Sequence, residues 1–141
     1  MTNRSFEVFA VVQAAIVAAL LWFVFSRPGP WDWLRGLGTA LMLIGIAGIA
    51  TARFQLGRSF SVSAQARQLV TQGIYSKIRN PIYVFGTVMI AGFVLILRQP
   101  IGWIFVLVVA CLQVIRAHKE AQVLETAFGD EYREYRRKTW F

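Results

Sequence analysis

Four apolar stretches separated by short polar or basic breaks organise the chain. Residues 6–25 are apolar apart from Glu7 and Gln13, and 37–52, 81–97 and 101–115 are apolar runs of similar character. A bilayer core takes about 20 apolar residues per helix. The pattern therefore predicts an all-α integral membrane protein: four transmembrane helices at those positions, then an amphipathic cytoplasmic helical segment at 116–139. Residues 53–80 are too charged to cross and form a cytoplasmic loop, so 1–141 is one domain.

The breaks carry ordinary stop and start signals. Arg27-Pro28-Gly29-Pro30 ends the first span, and Trp31 and Trp33 suit a membrane interface. Gly45, Gly48 and Ala52 let a neighbouring helix approach closely, a packing role. Leu56 to Ser63 alternates like a short extended segment. Arg98-Gln99-Pro100 is a tight connection, so the third and fourth spans form an antiparallel hairpin whose open ends, Asn80 and Arg116, lie on one side. Beyond it, Arg116, Glu120, Leu124 and Phe128 recur every four residues on one face. Gly129 breaks that helix, and Asp130 can cap a last one carrying Tyr132 and Tyr135. Trp140 and Phe141 read as interfacial anchors.

Composition sharpens the membrane reading. The chain is 57% hydrophobic and 16% charged, with mean hydropathy +0.54, whereas soluble domains average about 45–50% apolar and about 25% charged. A net charge of +8 with no separate basic domain points to anionic membrane lipids and away from nucleic acid. Of the 15 basic residues only Arg27, Arg35 and Arg98 fall on one side of the predicted spans. The positive-inside rule then puts both termini in the cytoplasm, in an inner or plasma membrane. A cleaved signal peptide fits poorly, because the apolar stretch is too long and Ser26-Arg27-Pro28 stands where small residues belong. Cys111 is the single cysteine, so no intrachain disulfide or cysteine zinc centre is expected, and no metal site.

The candidate chemistry lies at the open end of the hairpin. Gly73 to Tyr83 is a basic, aromatic loop that runs into the third helix, with Asn80 as N-cap and Pro81 at the first helical position. Arg79 and the helix terminus suit a carboxylate. Glu120, one turn past the fourth span, either pairs with Arg116 or accepts hydrogen bonds from a ligand ammonium. Tyr75, Tyr83 or Phe128 offer ring faces to an adenine or a sulfonium. An amino-acid head with a cationic, aromatic remainder describes S-adenosyl-L-methionine.

Gly73-Ile74-Tyr75, Arg79-Asn80-Pro81 and Tyr83, followed after one hairpin by Arg116, Glu120, Leu124, Phe128-Gly129, Tyr132 and Tyr135, resemble the isoprenylcysteine carboxyl methyltransferase and phospholipid methyltransferase group. The resemblance covers about residues 56–135, and Leu56-Gly57-Arg58-Ser59-Phe60-Ser61 is similar to bacterial members. It implies an integral membrane methyltransferase whose C-terminal half binds S-adenosyl-L-methionine, with a small or lipophilic acceptor entering from the bilayer. Cofactor-binding residues then fall at Gly73, Tyr75, Arg79, Asn80, Pro81, Tyr83, His118 and Glu120. No catalytic residue is assigned; Arg79 and Arg58 are the candidates, Arg58 as a contact either to a lipid headgroup or to an anion of the substrate. Asn80 and Ala121 stand where the group commonly has histidine and a second glutamate. His118, the single histidine, reads as a helix-end residue more than a catalyst. Two other readings are an NADPH-dependent membrane reductase of related architecture and a small four-helix transporter. The first asks for more cations at the cofactor phosphates, the second for an acid in mid-span.

Overall fold

A computed structural model describes residues 3–56 and 69–141. It is all-α, with helices α1 (Asn3–Ser26), α2 (Trp33–Leu56), α3 (Pro81–Leu97) and α4 (Gly102–Lys138), and a short 3₁₀ turn at Gly73–Ser76. α2 begins before residue 37 because Asp32 caps it: its Oδ1 accepts the Arg35 N–H at 3.0 Å. α3 ends where Arg98 adopts a left-handed conformation, φ 56°. α2 and α4 are long and apolar enough to cross a bilayer, while the apolar lengths of the other two, Val11–Ser26 and Pro81–Leu97, are shorter. Seventeen residues of α3 span about 25 Å, against a hydrocarbon core of about 30 Å. The alternating stretch after Leu56, with Arg58, lies outside the described residues.

α2 and α3 form the tightest pair. Gly38 and Gly92 face each other so closely that a Cβ on Gly38 would lie 2.7 Å from the Gly92 carbonyl oxygen. Gly45 packs on Met89, Gly48 on the Phe85 ring, and Ala52 is fully buried, the close approach the small residues predict. α1 joins at one end, where Val24, Met42 and Ile96 make the core with Leu20, Leu21, Ile46, Met89 and Phe93 around them. α4 returns along α3, with Thr87 Oγ1 donating to Gln113 Oε1 at 2.6 Å. Its outer face leaves Trp103, Phe105, Leu107 and Leu112 exposed. So much contiguous apolar surface suits contact with lipid.

Within α4 the chain bends at Gly129 (φ 51°, ψ −120°), a backbone region open essentially to glycine. Glu125 holds the bend, bonding Arg133 at 2.9 Å and lying 3.8 Å from Arg136. The sequence marks Glu125 only as a helix position. The bend turns residues 130–141 back toward the loop before α3.

Candidate active site

The loop before α3 is pinned from both sides. Gly73 takes φ +61°, and a side chain there would run into Gln55. Gln55 Oε1 accepts the Ile74 N–H at 2.7 Å, tying the 3₁₀ turn to the end of α2. Tyr75 is buried, 6% exposed, and its carbonyl accepts the Tyr135 hydroxyl at 2.7 Å. Burial, with Tyr135 and Glu120 nearby, pushes the Tyr75 phenol above its ordinary range. Burial also pushes Tyr135 up to about 12, with Arg79 acting in the opposite direction.

Asn80 does not cap α3 with its side chain. Its φ −122° and ψ 58° depart from the extended geometry in which a cap oxygen meets the first N–H groups. Its carbonyl instead accepts from Tyr83 at 3.1 Å and Val84 at 3.2 Å. Pro81 is fully buried and has no N–H. Ile82 therefore supplies the donor left at this terminus, fewer than the sequence suggests.

The hairpin closes the site. The Tyr83 hydroxyl, in the first turn of α3, donates to Glu120 Oε1 on α4. Arg79 is half-buried, and its Nε is buried with no partner among the described residues. A buried donor left unpaired costs about 1–3 kcal/mol, so this atom fits an anionic ligand. The structure thus brings Tyr75, Arg79, Tyr83 and Glu120 into one neighbourhood. It does not bring His118, which is exposed with Nδ1 2.8 Å from the Val114 carbonyl. Two residues from Glu120 is about 200° around the helix. An open groove beside Gln122, Val123, Thr126 and Ala127 includes none of the sequence-predicted site residues.

One participant has no side-chain signature in the sequence. Residues 139–141 lie along the loop through one parallel β-bridge between Ile78 and Trp140: Trp140 N–H donates to the Lys77 carbonyl at 2.7 Å, Arg79 N–H to that of Trp140 at 3.0 Å, and Asn80 N–H to that of Phe141 at 2.9 Å. These are backbone bonds, so residue types at 140 and 141 could not announce them.

The phospholipid methyltransferase family profile matches residues 33–131, the stretch that contains α2, α3 and the site. Protein-S-isoprenylcysteine O-methyltransferase B of Arabidopsis thaliana is 31% identical over 109 residues, covering 73% of this chain and 55% of that protein. A UPF0060 membrane protein of Acidovorax sp. (strain JS42) is 44% identical over 52 residues, covering 36% of this chain and 44% of that one. The chain spans about half the length of these curated relatives.

Proposed function

This chain belongs to the phospholipid methyltransferase family, and we propose that it is a membrane methyltransferase that uses S-adenosyl-L-methionine and binds the cofactor's amino-acid head between Arg79 and Glu120. The observation that carries this reading is the Tyr83–Glu120 hydrogen bond, which joins the start of α3 to α4, with Tyr83 four residues after Arg79, whose Nε is buried and without a partner among the described residues. Acid and cation are the complements of an ammonium and a carboxylate. When bound, S-adenosyl-L-methionine supplies a methyl group made electrophilic by its sulfonium.

Each residue then has a definite task. Glu120 accepts from the ammonium while Tyr83 fixes the carboxylate's direction. Arg79 and the Ile82 N–H hold the carboxylate. Tyr75 walls the site and keeps water out. Holding donor and acceptor in line is the main catalytic demand, so no general base is assigned. Arg58 is the candidate contact to the anionic part of the acceptor. All four helices span the membrane with both termini in the cytoplasm, and a small or lipophilic acceptor reaches the site sideways from the bilayer.

Titrating S-adenosylhomocysteine into detergent-solubilised wild type and Glu120→Ala by calorimetry tests the site. The expected result is a loss of at least about tenfold in affinity, the worth of a charge-assisted bond. Equal affinities remove Glu120 from the site. Thermal protection by NADPH and not by S-adenosylhomocysteine replaces the methyltransferase reading with the reductase one. Incubation with radiolabelled S-adenosylmethionine and a total lipid extract identifies the class of acceptor.

A further inference from the structure

We propose that Trp140 and Phe141 are positioning residues for the carboxylate-binding arm, acting through their backbone as a strap. The proposal rests on the reading of Arg79 as the partner of the cofactor carboxylate. Both peptide groups that flank the Arg79 Cα are held by the strap: Arg79 N–H by the Trp140 carbonyl and Asn80 N–H by the Phe141 carbonyl. The Trp140 N–H closes the ladder on Lys77. With backbone groups of Lys77, Arg79 and Asn80 fixed, Arg79 is preorganised for its ligand while its buried Nε stays unspent. The bend at Gly129 delivers the strap, and the Tyr135 hydroxyl on the Tyr75 carbonyl sets its height along the loop.

Trp140→Pro removes the N–H that bonds Lys77 while Trp140→Ala keeps it. Thr139 is already extended, φ −122° and ψ 149°, as a residue before proline must be, so the proline deletes one bond without reshaping its neighbour. Calorimetry with two ligands separates positioning from collapse: S-adenosylhomocysteine carries the carboxylate, and 5′-methylthioadenosine lacks the amino-acid chain. Trp140→Pro is expected to weaken S-adenosylhomocysteine about tenfold and leave 5′-methylthioadenosine unchanged, with Trp140→Ala near wild type for both. Equal weakening of both ligands, unchanged S-adenosylhomocysteine, or an equal loss in Trp140→Ala overturns the strap. If the proline variant does not fold, Gly129→Ala decides the matter in its place. A Cβ at Gly129 meets nothing within 4 Å, so only the bend is strained, and the same ligand-selective loss is expected. A wild type that binds neither ligand removes the cofactor reading itself, a result distinct from these.

Discussion

Each end of the helix assembly sets an arginine against packed backbone, and the two are used in opposite ways. Arg35, 5% exposed, spends its guanidinium on the protein. Nη2 donates to the carbonyls of Val24 at 2.6 Å and Arg27 at 2.9 Å, and Nη1 to Gly29 at 3.0 Å. Trp31 stacks on it at 4.3 Å. The Val24 carbonyl is one that the end of α1 leaves without an intrahelical partner, and those of Arg27 and Gly29 lie in the connection that follows. Arg79 makes no such side-chain bond among the described residues, and its backbone is what the protein holds. One end spends both Nη nitrogens on backbone carbonyls, although its Nε is buried without a partner among the described residues as that of Arg79 is, and serves as a joint. The other is fixed in place and left chemically open, as a binding site must be.

Exchanging the two arginines for alanine should separate those roles, and the largest effects belong here. Arg35→Ala strands three carbonyl oxygens and should lower stability by about 3 kcal/mol or more, seen as a fall in the melting midpoint in detergent. The affinity of the folded fraction for S-adenosylhomocysteine should not change. Arg79→Ala should do the reverse: a loss of about tenfold to a hundredfold in affinity at an unchanged midpoint. If both variants lose stability alike, Arg79 is a structural residue and the contrast fails.

A smaller pair of effects tests the α3–α4 contact. Tyr83→Phe removes the bond that aims Glu120 and should weaken S-adenosylhomocysteine about threefold to tenfold. Thr87→Val breaks the Thr87–Gln113 bond farther along the same two helices. It should cost about 1 kcal/mol of stability and leave affinity alone. Equal affinities for Tyr83→Phe and wild type would show that Glu120 needs no aiming.

The two ends also differed in how far their sequence revealed them. That the Arg79 end of α3 and Glu120 share one end was legible because a four-residue connection after α3 fixes the hairpin, so residues near its open end must come together; the particular Tyr83–Glu120 bond was not. The apolar runs located all four helices, and the glycines of α2 marked its contact with α3. Arg35 was not legible: next to tryptophans at a helix boundary, an arginine that caps carbonyls has the same pattern as one that reaches for headgroups. The strap was invisible because its bonds are backbone bonds between distant segments. Asn80 misled because side-chain capping presumes an extended ψ, and here ψ is 58° while the Asn80 N–H is paired with Phe141. His118 could have been placed by helical phase alone, since 116 and 120 share a face and 118 opposes it.

The finest contrast is in pH. At the Arg35 end, the Asp32 carboxyl is held below its ordinary value, first by the Arg35 backbone N–H and then by Arg98, with which it also forms an ion pair. A depressed carboxyl contributes stability above its unfolded value of about 3.9 and loses it as pH falls through the lower folded value. At the Arg79 end, Tyr135 sits at about 12 because burial disfavours its phenolate. A raised phenol contributes fully below about pH 10 and loses its contribution as pH climbs from there to about 12. Melting midpoints across the acid and alkaline limbs should therefore respond separately. Asp32→Asn should lessen the slope of the acid limb only, and Tyr135→Phe that of the alkaline limb only, where the raised Tyr75 phenol keeps part of the slope, with a further cost of about 1 kcal/mol near neutrality for the lost bond to Tyr75. An alkaline limb that keeps its full slope in Tyr135→Phe would leave the high-pH behaviour of this end to the more deeply buried Tyr75, and the half-buried Tyr135 would carry none of it.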